Sequence, residues 1–452
     1  MIVLKFGGTS VGNAAMMDRT LDVVAKVLDQ SPVLVSSAMT KMTDLLLSIC
    51  KHAAKGENEA ASGLLRQFED HHRHCAAELL AGDHPVIRAE LASCSAALNQ
   101  YFTELGSIVR GLCLIREVSH RSQDAVVSFG ERLSTLLLSH KARAKGLSAE
   151  LVDARMAVKT DENFGSANLL KEATAAACKA AFKPRKGHLI ITQGFIASTE
   201  KGITTTLGRG GSDYSATIIG AALGASSVEI WTDVDGIMTT DPRIIAHAKV
   251  LPEISYAEAA ELSYFGAKVI HPSTIQPAVD LGIPVWVKNT KNPAAVGTVI
   301  TPRGPTGIQG PQAIAAKKNI LVITVKSSRM INAFGFLSRI FEVFEAHKVS
   351  VDLVATSEVS VSVTIDDATH VKAVRRDLEA FAEVEVEDSQ AIICLVGRDL
   401  WRDGNFMVKV FTALKDVPVR LVTMGSSDIN LSLVVPQAQL ETAIHKLHDS
   451  LF

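Results

Sequence analysis

The first apolar run, IVLKF at 2 to 6, is followed by a GGTS break and by apolar positions at helical spacing over 16 to 28. PVLVSSA then reads as a second strand, which predicts a βαβ opening. From about 43 to 118 the spacing is helical almost throughout, in runs such as LLRQFEDHHRHCAAELL, and predicts a helical insertion. Strand-like runs return at AELVDA, HLIITQGFI, SSVEIWTDV and GIPVWVKN, separated by the helical stretches SDYSATIIGAALGA and ISYAEAAELSYFGAKVIHP. Strands alternating with helices predict an α/β domain, a mainly parallel sheet covered by helices on both faces.

The Gly/Pro-rich segment TPRGPTGIQGPQ at 301 to 312 interrupts that rhythm and predicts a boundary between a domain over 1–305 and a second region over 313–452. Beyond it come ILVITVKS, a helix over 335 to 347, VSVDLVATS, VSVSVTID, a helix near 371 to 381, and VEVED. A second round follows: AIICLVG, a helix around 406 to 414, VRLVTMG, INLSLVV and a helix over 437 to 447. The pattern predicts two ferredoxin-like βαββαβ units, about 328–388 and 389–452, the second completed by a strand near 313–327.

Composition narrows the function. Lys plus Arg is 46 against 48 for Asp plus Glu, so no basic excess draws the chain to nucleic acid or to an anionic membrane. The six cysteines are scattered with no CxxC pair, as expected of thiols kept reduced in the cytoplasm. No apolar stretch reaches the roughly 18 residues of a membrane span, and Met1 leads into the first strand without a basic leader, so a soluble cytoplasmic protein is expected.

Two glycine-rich stretches have the chemistry of anion sites. KFGGTS at 5 to 10 places Gly7 and Gly8 where a strand enters a helix, with the Lys5 cation beside them; a plain strand-to-helix turn explains the same residues. TLGRGGSDYSA at 206 to 216 brackets Arg209, a planar fork for a carboxylate, with glycines, and Ser212 and Asp213 open the next helix; an N-cap beside a solvated arginine is the plainer reading. WTDVDGIMTTDPR at 231 to 243 leaves a strand at the carboxyl edge of the sheet, where open α/β folds bind ligands. Its Asp233, Asp235 and Asp241 lack the closing Glu of a calcium loop, and HHRHC at 71 to 75 lacks a third and fourth ligand, so no protein-held metal is expected; HHRHC reads as a solvated helix face. FGAKVIHP at 265 to 272 carries Lys268.

Taken in order, KFGGTS, SFGERLS at 128 to 134, TLGRGGSD, WTDVDGI with TTDPR, and FGAKVIHP resemble the aspartate kinases of the amino-acid kinase superfamily, monofunctional and lysine-sensitive in type. VDLVATSEVSVSVTID at 351 to 366 and the tandem βαββαβ pattern resemble that family's paired ACT regulatory domains. The resemblance implies transfer of the ATP γ-phosphoryl group to the side-chain carboxylate of L-aspartate, the first step of lysine, threonine and methionine biosynthesis. It assigns Lys5, Gly8, Asp213 and Lys268 to catalysis, with Asp213 orienting Lys5. Glu131 would bind the substrate ammonium and Arg209 its α-carboxylate, with Thr43 and Ser212 nearby. ATP would meet Lys5, Gly7, Gly8, Thr232, Asp233, Met238, Arg243 and Lys268, with Mg²⁺ held mainly through the phosphates; Met238 stands where the family commonly has Tyr. An amino-acid effector, lysine by preference, would meet Met330, Gly335, Phe336, Leu337, Ser350, Val351, Asp352, Thr356, Ser357 and Glu358. A homodimer or dimer of dimers through the ACT domains is implied. The rivals are a kinase of glutamate or N-acetylglutamate and a catalytically inactive amino-acid sensor; Glu131, which awaits a free ammonium, argues against an acetylated amine, and Lys5, Asp213 and Lys268 together argue against the inactive sensor.

Overall fold

Ile2–Phe6 (β1) is buried along its whole length because both of its faces are covered. Ile2, Leu4 and Phe6 join a core built with the helices Ala14–Ala25, Met42–Ala54 and Phe129–Ala144, while Val3 and Lys5 face the helix Gly211–Leu223. The computed structural model describes residues 1–266, 270–307, 309–327, 334–425 and 427–452.

One compact unit comprises Met1–Ile237, Pro252–Tyr256 and Ile270–Gly304. Its other strands are Val33–Ser36 (β2), Ala149–Val152 (β3), Leu189–Gln193 (β4), the hairpin Ile196–Ser198 (β5) and Thr204–Thr206 (β6), Ser227–Thr232 (β7), Glu253–Ser255 (β8), Val285–Asn289 (β9) and Thr298–Thr301 (β10). The main sheet runs β3-β4-β2-β1-β7-β9-β10-β8 and is parallel except where β10 meets β9. β1 lies at its centre, with Lys5 opposite Val35 and Ile230, so the residues leaving β1 and β7 emerge side by side. The stretch that reads as one helical segment around 254 to 272 holds β8, then the helix Tyr256–Tyr264, and Pro272–Asp280 follows as a separate helix.

The helical insertion is Met42–Ala54, Asn58–Leu79 and Pro85–Ile115, continued by His120–Val127 and Phe129–Ala144. HHRHC lies on the second of these, and half of it faces the core instead of water. His72 is fully buried with Nδ1 2.7 Å from Phe68 O, and Cys75 is buried beside it. Burial pushes His72 down to about 4 and the Cys75 thiol up to about 12, so both stay neutral.

The second unit comprises Met238–Leu251, Ala257–Val269 and Pro305–Phe452. It holds Gly310–Lys326 (β11), Val354–Thr356 (β12), Ser360–Ile365 (β13), Glu383–Arg398 (β14), Leu421–Met424 (β15) and Asn430–Pro436 (β16), in the order β12-β13-β11-β14-β16-β15. The two βαββαβ patterns share strands: β11 and β14 are long and antiparallel, and each serves both halves. Helices Phe336–Ala346 and Val371–Glu379 cover one half, while Gly404–Ala413 and Leu440–Leu451 cover the other. The halves meet where Asn319 (φ +61°) and Ser389 (φ +54°) turn left-handed and the β11–β14 register shifts. Among the described residues no helix is long and apolar enough to cross a membrane.

Candidate active site

Lys5 has its ammonium inside the unit because its stem lies in a buried strand, and its Nζ stands 2.6 Å from Asp213 Oδ1. This is a close ion pair rather than an aligned hydrogen bond, since Asp213 Oδ1 has no hydrogen-bond partner among the described residues. Asp213 comes from the first turn of Gly211–Leu223, a helix entered through Gly208 and Gly210, both left-handed (φ +73° and +72°). The cation is therefore fixed by a carboxylate across the sheet face, at the end of β1, where the chain turns at Gly7 and Gly8.

The two glycines do different things. Gly7 N–H is spent on Trp231 O (3.1 Å), so it does not serve the anion turn; instead, its missing side chain leaves room for Lys5 Nζ, 3.5 Å from where a Cβ would stand. Gly8 opens the helical turn Gly8–Ser10, where an N–H has no partner within the turn, and its carbonyl accepts from Thr40 Oγ1 at 2.9 Å. A Cβ on Gly8 would stand 3.0 Å from Ala38 O.

Ala38 leads to the second half of the site, since its N–H donates to Glu131 Oε1 at 3.2 Å. Glu131 is 3% exposed in the first turn of Phe129–Ala144, and its Oε2 is buried with no partner among the described residues. Burial pushes this carboxyl up to about 8, and the Ala38 amide offsets only part of that. Gly130 lets the helix approach so closely that a Cβ there would stand 2.8 Å from the Ala38 methyl and 3.9 Å from Thr43 Oγ1. Ser212 packs on Gly194, with its Oγ 2.9 Å from where a Cβ would stand. Arg209 stands exposed between its glycines, without an ion pair among the described residues. The unit thus brings together a paired cation, a helix N-terminus, a free guanidinium and a buried carboxyl oxygen in want of a donor, which is chemistry for a zwitterion beside an anion.

Other expected residues fall elsewhere. Thr232 and Asp233 close β7 in the first unit, Thr232 Oγ1 donating to Asp233 Oδ1 at 3.3 Å. Met238 and Arg243 belong to the second unit, where Arg243 is held by Asp241 (2.6 Å). Lys268 and Met330 lie outside the described residues. Gly335 (φ +82°) caps the helix that begins Phe336, Leu337 is exposed, and Phe336 packs edge-on against Phe381. Ser350 is exposed and Val351 half-buried. Asp352 is buried: its Oδ1 takes Tyr264 OH (2.6 Å) and Lys317 Nζ (3.0 Å), and its Oδ2 has no partner among the described residues. Thr356 ends β12, and Ser357 and Glu358 form the turn to β13, closed by Ser357 N–H on Ser360 O (2.8 Å).

The residue that sequence reading missed is Asp124. It is 1% exposed and accepts from Thr206 Oγ1 (2.8 Å), Thr206 N (3.0 Å) and Gly165 N (2.9 Å), which fixes β6 just ahead of the Arg209 turn. A lone Asp in QDAVV carries no signal of that role.

Compared with known proteins, residues 1–289 match the model of the amino acid kinase family, and residues 323–381 and 393–451 match that of the ACT domain. The chain is 37% identical to the lysine-sensitive aspartokinase 3 of Escherichia coli (strain K12), covering 100% of this chain and 99% of that protein. It is 35% identical to the chloroplastic aspartokinase 1 of Arabidopsis thaliana, covering 100% of this chain and 80% of that one. Among solved structures it is similar to E. coli aspartokinase III in complex with aspartate and ADP in the R-state (TM-score 0.80, 36% identity, 100% of both chains). It is likewise similar to the same enzyme with lysine and aspartate in the T-state (TM-score 0.83, 36% identity, 100% of this chain and 99% of that one).

Proposed function

The chain belongs to the amino acid kinase family, as an aspartokinase with two ACT domains, and on that premise we propose how its own residues carry out the transfer. The reaction moves the γ-phosphoryl group of ATP to the side-chain carboxylate of L-aspartate and gives 4-phospho-L-aspartate and ADP. That carboxylate, with an ordinary pKa of about 3.9, is already ionised at neutral pH, so no general base is needed. The difficulty is bringing together two anions that repel, and the solution is positioning with charge neutralisation.

The observation that carries the reading is Glu131 Oε2, buried without a partner among the described residues. An ammonium supplies the missing donor, whereas an acetylated amine brings no charge to offset the buried carboxylate. Arg209 takes the α-carboxylate, and Thr43 and Ser212 flank the substrate. Lys5, oriented by Asp213, and Lys268 draw charge from the transferring group, with the Gly8 amide beside it and Gly7 leaving room for the cation. Thr232, Asp233, Met238 and Arg243 meet the nucleotide. Asp213 is engaged by Lys5, which leaves a Mg²⁺ to be held mainly through the ATP phosphates, where it would add charge neutralisation when bound. An amino-acid effector, lysine, acts through the ACT half, and the enzyme works in the cytoplasm as a homodimer or dimer of dimers joined through those domains.

An ATP-dependent hydroxamate assay over a panel of amino acids tests this. Product is expected with L-aspartate and not with N-acetylglutamate, and lysine is expected to suppress it more than threonine or methionine. Turnover of an N-acylated amino acid in preference to aspartate overturns the assignment.

A further inference from the structure

We propose that His247, His448 and Asp449, in the second unit, form a binding site for a divalent transition-metal cation of the zinc, cobalt or nickel kind. Each residue offers one ligand atom, and the three atoms lie within 4.8 Å of one another. Two imidazoles and a carboxylate are a common three-ligand set for such ions and leave a fourth position for water.

The site is built on a fixed frame. His448 is 2% exposed, in the last turn of Leu440–Leu451, where the partial negative charge of the helix end favours a cation. Its ring is wedged between His247, edge-on with centroids 5.3 Å apart, and Phe452 at 5.1 Å. Its Nε2 is 3.1 Å from Thr239 Oγ1, which also accepts Lys249 N–H at 3.1 Å, so the ring plane is held by an outer partner as in other histidine-metal sites. His247 is anchored two residues earlier by Ile245, which is fully buried in the core with Ile444 and Leu447.

Tetrahedral coordination with bonds of about 2.0–2.1 Å puts donor atoms roughly 3.4 Å apart, so the set must close by up to about 1.4 Å. His247 and Asp449 are exposed and can rotate to do so. The adjacent cation, Lys249, is turned onto the main-chain oxygen of Phe452 (3.3 Å), and Asp449 makes no ion pair among the described residues. A bound ion would cross-link the 238–251 segment to the C-terminal helix within the same unit. An edge-on histidine pair beside a solvated helix-end aspartate is the alternative, and binding separates the two.

The test uses the full chain, freed of metal by a chelator and titrated with Co²⁺ and then Zn²⁺. One equivalent of Co²⁺ is expected to give the visible absorption of tetrahedral coordination, with Zn²⁺ displacing it and raising Tm. His247→Ala and Asp449→Asn, both at exposed positions, should each weaken binding at least about tenfold while the metal-free Tm stays put. Binding only at millimolar Co²⁺, or undiminished binding by both variants, overturns the site.

Discussion

Glu131 holds a carboxyl group away from water with one oxygen on the Ala38 amide and the other without a partner among the described residues, and that arrangement has a pH signature. Its pKa rises from an ordinary 4.5 to about 8 in the folded chain. Between those values the unfolded chain has released the proton and the folded chain keeps it, so this group's contribution to stability falls as pH rises from about 4.5 to about 8. By pH 8 the cost is on the order of a few kcal/mol. Glu131→Gln should therefore raise Tm at pH 8 and leave it nearly unchanged at pH 4.5, while aspartate KM rises about 10²-fold or more. The same proton competes with the substrate ammonium, so wild-type aspartate KM should fall as pH rises toward 8, and Glu131→Gln should lose that slope. Thermal melts and initial rates across pH read both, and a flat wild-type KM would remove Glu131 from substrate binding. Glu131 was legible because it sits in a motif; Asp124 was not, because its partners Thr206 and Gly165 become neighbours only when β6 is folded.

At the scale of elements, the site depends on how closely backbones approach. Ala38 is gripped between Gly8, at the end of β1, and Gly130, in the helix Phe129–Ala144; its carbonyl faces one and its methyl the other, while its N–H serves Glu131. A methyl at Gly8 therefore pushes on Ala38, the residue whose N–H orients Glu131, as well as on the anion turn. We expect Gly8→Ala to lower kcat about tenfold or more and to raise aspartate KM, with Tm within a few degrees of wild type, because displacements of a few tenths of an ångström cost far more in a reaction than in a fold. Steady-state kinetics in both substrates decide it; normal kcat with only ATP KM altered would confine Gly8 to nucleotide binding. The central parallel strands were readable as apolar runs of four to six residues. β8 and β6, three residues each, were not, since so short a span carries no periodicity. Nor was the fusion of VEVED with AIICLVG into β14: the polar Ser389-Gln390 between them reads as a break, whereas here the strand crosses the bend at Ser389 unbroken.

For the whole molecule, the regulatory half carries a buried carboxylate of its own. Asp352, like Glu131, has one oxygen without a partner among the described residues, but its other oxygen already holds the Lys317 ammonium at 3.0 Å, so an arriving ammonium would share that charge with Lys317. Thr356 ends the edge strand β12, opposite Val361, just before the turn at Ser357 and Glu358. An amino acid bound along this stretch would have a share of the Asp352 carboxylate for its ammonium and the Thr356 hydroxyl for its carboxylate. A typical coupling of about 1–3 kcal/mol between such a site and the active site corresponds to a change of roughly 5- to 150-fold in affinity. Thr356→Ile replaces the hydroxyl with a branched apolar group that β structure accepts, so the fold should hold while the effector loses a partner and space. The lysine concentration for half-inhibition should rise about tenfold or more, with activity in the absence of lysine within about twofold of wild type. Initial rates over a lysine titration, paired with calorimetric lysine binding, separate the outcomes. Weakened binding with weakened inhibition supports the site at β12, unchanged inhibition moves it elsewhere, and a wild-type enzyme that no aspartate-family amino acid inhibits removes the regulatory role of this half.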